Sequence, residues 1–155
     1  MTPATLDRAG IAARIPHGSA MCLLDALLAW SDSEIVCTTD THSRSDHPLR
    51  MLDELPAASA LEYASQAMAL HGALCSAAAA PTPGFLASAR AVRLHARRLD
   101  QAPGPLRVSA RRVAGGQAQA MYAFELRDAA DHVLVDGRAT VVFGTPLVGA
   151  AARTP

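Results

Sequence analysis

No proline interrupts the chain from Ala57 to Ala80, and alanine is the commonest residue of that stretch. Leu61, Met68, Leu70 and Leu74 recur among the alanines, and Gly72 is the one glycine. Such residues favour a helix, and apolar positions fall on nearly every face, so the sequence predicts a long helix buried on most sides. Pro56 opens it, and Pro81-Thr82-Pro83-Gly84 ends it after about Ala79. A helix of this kind cannot stand alone; the rest of the chain has to wrap it.

What surrounds it reads mainly as strands. Residues 1–16 form a short lead-in with a helical turn around Leu6 to Arg14. Met21 to Trp30 is an apolar run that reads as strand or short helix, and Ser31-Asp32-Ser33 is a turn. Glu34 to His42 is rich in β-branched residues and reads as a strand. Ser43 to Glu54 carries charge, Pro48 and no periodicity, which marks a loop of functional length. Beyond the helix, Phe85 to Leu99, Leu106 to Val113, Gln117 to Arg127 and Val133 to Phe143 are four strand candidates, with Met121, Ala123 and Phe124 placed at apolar positions of the third. Strands on both sides of one helix, joined by short turns, point to an α+β fold in which an antiparallel sheet packs on that helix.

Composition narrows the function. Half of the 155 residues are apolar but only 4% are aromatic, so the core is built from Ala, Leu and Val, and small side chains let helix and sheet approach closely. The length fits a single domain over residues 1–155, with a core over about 15–143 and a loose tail over 144–155. Fourteen basic residues balance fourteen acidic ones, which argues against a protein that coats nucleic acid or an anionic membrane. Cys22, Cys37 and Cys75 form no CxxC pair; they read as small buried hydrophobes, with neither a metal site nor a disulfide framework. The start of the chain lacks the pattern of a signal peptide, and the apolar run from Ala67 to Ala80 is broken by His71 and too short for a bilayer, so a cytoplasmic location is expected.

Three local patterns carry a resemblance. Ile15-Pro16-His17 followed by Met21-Cys22-Leu23-Leu24-Asp25 resembles the opening of bacterial 3-hydroxyacyl-carrier-protein dehydratases. Leu55 to Ala69 resembles the start of their central helix, and Gly116-Gln117 through Val133 to Ala139 has the shape of their last hairpin. The chain is closer still to the dehydratase-like hotdog proteins of aryl polyene biosynthesis. Those combine the same opening with a Pro48-Leu49-Arg50 loop and a helix like Leu55 to Leu74. The resemblance implies a hotdog fold, in which an antiparallel sheet wraps a long central helix. It also implies a substrate carried as a thioester on the phosphopantetheine of an acyl carrier protein, with no other cofactor, and water removed across C2–C3. It further implies a homodimer or a heteromer with a second hotdog subunit, whose shared site could take its base from the partner. The chain departs from the family in the loop before the helix: the position of the family's catalytic histidine falls on Pro48, one residue from His47, and the motif glycines are absent.

Elimination of water from a 3-hydroxyacyl thioester needs a base for the C2 proton, an acid for the leaving hydroxyl and donors for the carbonyl oxygen. Glu62, planted in an apolar helix, is the candidate catalytic carboxyl, and burial is expected to raise its pKa so that it acts as the acid. His47 and His42 are the candidate bases. The helix start at Pro56, Ala57, Ala58 and Ser59 is expected to offer N–H groups to the carbonyl, with Gln66 one turn beyond Glu62 completing a polar stripe. His17 and His71 read as structural, and His95 and His132 as turn or strand-end residues. Arg90, Arg93, Arg97, Arg98, Arg111 and Arg112 read as solvated charge or as a dock for an acidic carrier protein. Two other functions remain open: a non-catalytic subunit or acyl-binding module that supports a partner dehydratase, and an acyl thioesterase.

Overall fold

The computed structural model describes residues 2–76, 84–116 and 118–144, with Thr2, Pro3 and Ala4 described by backbone alone. In chain order, β1 (Thr2–Asp7), α1 (Arg8–Ala12), α2 (Gly18–Met21), β2 (Ala26–Trp30) and β3 (Glu34–Thr39) precede the central helix α3 (Ala60–Cys75). β4 (Gly84–Leu94), β5 (Leu106–Gly115), β6 (Gln119–Arg127) and β7 (Val133–Phe143) follow it. The strands form one sheet in the order β1-β2-β3-β5-β6-β7-β4, and every neighbouring pair is antiparallel. α3 packs across β3, β4, β5, β6 and β7. This is the α+β hotdog arrangement that the sequence led us to expect.

Turn chemistry sets the hairpins. Ser31 closes β2 onto β3: its backbone N–H donates to Glu34 O at 2.8 Å and its hydroxyl accepts the Glu34 N–H at 3.1 Å. Asp128 closes β6 onto β7 by accepting the N–H groups of Ala130 and His132, both at 2.9 Å. Gly115 ends β5 at a φ of 113°, a conformation that side chains resist.

Small residues do the packing predicted of them. Ala60, Ala64 and Ala67 are fully buried on α3, and the larger Tyr63, Met68 and Leu70 share one buried cluster with Leu27, Ile35, Leu106, Val108 and Leu126. Each fully buried Leu or Met of this kind contributes about 1.5–3 kcal/mol of apolar transfer.

The structure corrects the sequence reading in several places. The lead-in contains a strand, β1, before the expected helical turn. Met21 ends a short helix, so only Ala26–Trp30 of the apolar run is strand. β3 stops at Thr39, and Thr41–Ser43 is a 3-10 turn, so His42 is not on a strand. α3 begins at Ala60 after a 3-10 turn over Ala57–Ser59, and β4 ends at Leu94. The register of β6 is shifted by one from expectation: Ala120, Tyr122, Phe124 and Leu126 face the core, while Met121 and Ala123 face away. Cys22 and Cys37 are buried as expected, but Cys75 is exposed. The breaker cluster before Gly84 and the tail after Gly144 lie outside the described residues. Among the described residues no helix is long and apolar enough to cross a membrane.

Candidate active site

α3 carries its polar stripe where residues 17–25 cross it. Gln66, fully buried, is the brace between the two. Its carbonyl oxygen accepts the Leu23 N–H at 2.8 Å, and its Nε2 donates to Met21 O at 2.7 Å and to Glu62 Oε1 at 3.0 Å. One turn earlier, His17 comes in from the entry to α2, and its Nε2 lies 3.2 Å from the same Oε1. The carboxyl is therefore held through one oxygen by two nitrogen donors. The Ser65 hydroxyl bonds the Glu62 backbone carbonyl at 3.0 Å.

These contacts reverse the charge state expected of Glu62. Its side chain is 32% exposed, and the carboxyl pKa is held below the usual range, first by the hydrogen bond from His17 and then, against the opposing effect of burial, by Gln66. At neutral pH Glu62 is a carboxylate rather than a waiting acid. The other nitrogen of His17, Nδ1, is buried with no hydrogen-bond partner.

The two candidate bases sit elsewhere. His47 is buried, and its Nδ1 accepts the Leu49 N–H at 3.0 Å, which leaves the proton on Nε2. That Nε2–H donates to the Tyr63 hydroxyl at 2.9 Å; Tyr63 in turn donates to Thr41 Oγ1 at 2.8 Å, and Thr41 to Leu23 O at 2.8 Å. Both nitrogens of His47 are committed. Burial, reinforced by Arg50 and Arg44, holds its pKa below the imidazole range, and burial pushes the Tyr63 phenol up to about 12. His42 is also buried and bonds Ala102 O through Nε2 at 3.0 Å. It packs so closely on Gly104 that a Cβ there would come within 2.8 Å of its ring. Neither histidine is a recorded partner of Glu62. A cavity of about 270 Å³ opens beside His47, lined by Arg8, Ala20, Leu23, Thr41, Arg44 and Pro48 among others.

The helix start is less open than expected. Pro56 has no N–H, Ala57 N–H donates to Arg97 O at 3.0 Å, and Ser59 N–H donates to Pro56 O at 3.0 Å. Ala58 stands at the surface. Gln66 likewise spends its amide on protein groups, so it positions Glu62 rather than offering a free contact to substrate. Three of the six arginines are neutralised too. Arg97 and Arg98 bond Glu54, Arg98 also clamps Asp100, and Arg93 pairs with Asp136. Arg90, Arg111 and Arg112 make no ion pair among the described residues, and Arg112 bonds Gly116 O at 2.7 Å. His71 is a satisfied core histidine, bonded to Tyr122 Oη and Ser31 O at 2.8 Å each. His95 and His132 pair with Asp136 and Asp128.

Sequence reasoning singled out Glu62 and Gln66 as candidates and read His17 as structural support. The signal was present in the Ile15-Pro16-His17 opening; what it lacked was any sign that this residue meets a carboxyl on a distant helix.

Known proteins share this fold. The family model described as ApeP-like, ApeP dehydratase, matches residues 9–147. Among solved structures, the dehydratase heterocomplex ApeI:P from Xenorhabdus doucetiae contains a chain 21% identical, with a TM-score of 0.74 over 94% of this chain and 93% of that one. A thioesterase of Haemophilus influenzae is 15% identical, with a TM-score of 0.63 over 94% and 97% of the two chains. AziG from S. sahachiroi is 15% identical, with a TM-score of 0.58 over 76% and 88%. At these identities the structural matches establish the fold. No curated protein matches the chain.

Proposed function

The chain belongs to the ApeP-like dehydratase family, and from that membership we propose that it serves the removal of water from a 3-hydroxyacyl chain held as a thioester on an acyl carrier protein, with Glu62 as the catalytic group. The observation that carries this reading is the Glu62 carboxylate, fixed by His17 and Gln66 at the start of the central helix and still one third open to an incoming chain. The sequence likeness to the aryl polyene group sets the pathway class as polyene-type chain building.

A carboxyl so exposed is not in the dry tunnel that this elimination favours. We assign the missing wall to a second hotdog subunit. The solved relative is a heterocomplex, and β4, at the sheet edge with Phe85, Leu86 and Leu94 exposed, is where a second sheet would continue this one. One observation favours a second reading, a supporting subunit without its own turnover: the histidine nearest the family's catalytic position, His47, has both nitrogens occupied.

The test is dehydration of 3-hydroxyacyl carrier-protein thioesters, by the chain alone and with a second hotdog subunit. Growth of conjugated-enoyl absorbance, abolished by Glu62→Gln at unchanged melting temperature, supports the enzyme. Turnover only with the partner, indifferent to Glu62→Gln, supports the supporting subunit. Release of free thiol without enoyl product would replace both readings with hydrolysis.

A further inference from the structure

We infer that the β4 margin is charged against an ordered pair with a second copy of this chain, and that its occupant is a different hotdog subunit whose edge strand carries carboxylates on the outer face. This rests on the reading above that a second sheet continues this one at β4, and it names what that sheet must bring. β4 and β7 pair so that Arg90 stands opposite Arg138, with Ser88 opposite Thr140 in the neighbouring row. Ala139 and Val141 of β7 are buried in the core, so Arg138 and Thr140, which alternate with them, point to the other side of the sheet. There the four side chains line one shallow cavity of about 170 Å³ together with Met121.

Like charges directly across a strand pair repel, and the chain does nothing to relieve these two. Among the described residues neither Arg90 nor Arg138 has an ion pair. The acids of the next row on the same face are spent elsewhere. Asp136 holds Arg93 at 2.9 Å and His95 at 2.7 Å, and Glu125, opposite Asp136 on β6, holds Arg127 at 2.7 Å. On its other side Arg138 faces Ala123, and Ala123 faces Arg111, so the next charge along that row is again a guanidinium. From Gly84 to Leu99 the sequence has four arginines, a histidine and no acid. Arg93, Arg97 and Arg98 are paired within the chain, which leaves Arg90 as the bare charge of the margin.

Two copies joined at this margin would meet about a two-fold axis, so each strand presents the same residues to the other. With β4 overlapped along its length, the axis passes close to Ala89, the middle of Gly84–Leu94. Arg90 then lies diagonally across from its own counterpart, at roughly the 7–8 Å over which such cross-strand neighbours interact. Arg138 and its counterpart stand one strand behind, so the guanidiniums of both copies gather on one strip with no carboxylate among them. A foreign strand with Asp or Glu at the facing outer positions turns the same strip into alternating charge, and the Ser88 and Thr140 hydroxyls are further donors to it. Phe85 and Leu86, exposed beside the strip, offer apolar contact to any strand, and the arginines decide which strand can use it.

The probe partner is this chain with its own charges reversed. Wild type and Arg90→Glu/Arg138→Glu are co-produced as differently tagged full-length copies. Pairs are captured from the soluble fraction on one tag and counted on the other, at about 0.02 M and about 0.5 M salt. Both side chains are exposed, so the melting temperature should not change. We expect the mixed pair to be recovered about tenfold or more above the wild-type self-pair at low salt, with salt weakening the mixed pair and raising the self-pair. Arg90→Gln/Arg138→Gln removes the repulsion without adding attraction. It should self-pair more than wild type at low salt and respond little to salt, and it decides the matter if the reversed chain does not fold. Wild type that pairs with itself as well as with the reversed chain, at both salts, overturns the inference and gives β4 to a second copy. No pair in any combination overturns it together with the reading of β4 as a subunit margin. Turnover enters none of these measurements, so the dehydratase reading stands or falls by its own assay.

Discussion

Replacing Gln66 with leucine tests the brace on which the site is built. The amide makes three contacts at once, to Leu23 N–H, Met21 O and Glu62 Oε1. Leucine matches much of its volume but none of its polarity. In the variant the Leu23 N–H is stranded in a buried position, and the Met21 carbonyl loses its partner where some water can reach. A buried group left unsatisfied costs about 1–3 kcal/mol, and the apolar side chain returns about 1 kcal/mol by its own burial. With about 1 kcal/mol for the partly wet Met21 carbonyl, the net loss is about 1–3 kcal/mol, and for a chain of this size each kcal/mol moves the melting temperature by about 2–4 °C. Calorimetry should therefore show Gln66→Leu melting about 2–12 °C below wild type, with cooperative unfolding retained. A change under about 2 °C would mean that the 17–25 segment is not tied to the helix through this amide.

Other outcomes follow from other parts of the structure. Leu52 has a φ of 50° and is 97% exposed at the tip of a tight turn closed by mutual hydrogen bonds between Met51 and Glu54. Leu52→Asn suits that left-handed conformation and should stabilise the protein by about 0.5–1 kcal/mol in urea titration; a loss of stability would show that Leu52 is covered in solution. His47 and His71 are both held below the ordinary imidazole range, burial being the first cause. The unfolded chain then binds protons that the folded one refuses, so stability is full above about pH 6.5 and falls as pH drops through the folded values. Urea midpoints at pH 8, 7, 6 and 5 should decline toward acid, with the lowered carboxyls of Asp100, Asp128 and Asp136 adding their loss only at lower pH; a midpoint that rises from pH 7 to pH 5 contradicts the burial of these rings.

The helix could be read from the sequence because its signal is local: helix formers between proline breakers. Strands β5, β6 and β7 were legible for a similar reason, since Gly115, Asp128 and Asp131 punctuate them. β1 was not. Thr2–Asp7 has no run of β-branched residues and includes Pro3, so nothing but pairing with β2 makes it a strand. The phase of β6 was also hidden, because Met121 and Phe124 are both apolar and only the sheet decides which face meets α3. At the site, Glu62 stood out as one acid among alanines, whereas its partner is a property of three dimensions. The same applies to His47, whose two occupied nitrogens depend on the loop's own backbone and on Tyr63 of the helix. The expected rise in the Glu62 pKa failed because burial was weighed without the donors that accompany it.

The bareness of β4 has a consequence at the bench. Among the described residues its outer side offers a row of backbone groups with no neighbouring strand, and large apolar side chains stand beside them at both ends, at Phe85, Leu86 and Leu94. Such a margin recruits whatever strand it meets first. Yield and monodispersity should therefore depend on what the chain is made alongside: produced by itself it should drift into inclusion bodies or ill-defined multimers, and co-production with the second hotdog subunit proposed above should bring it into the clear supernatant before any activity is measured.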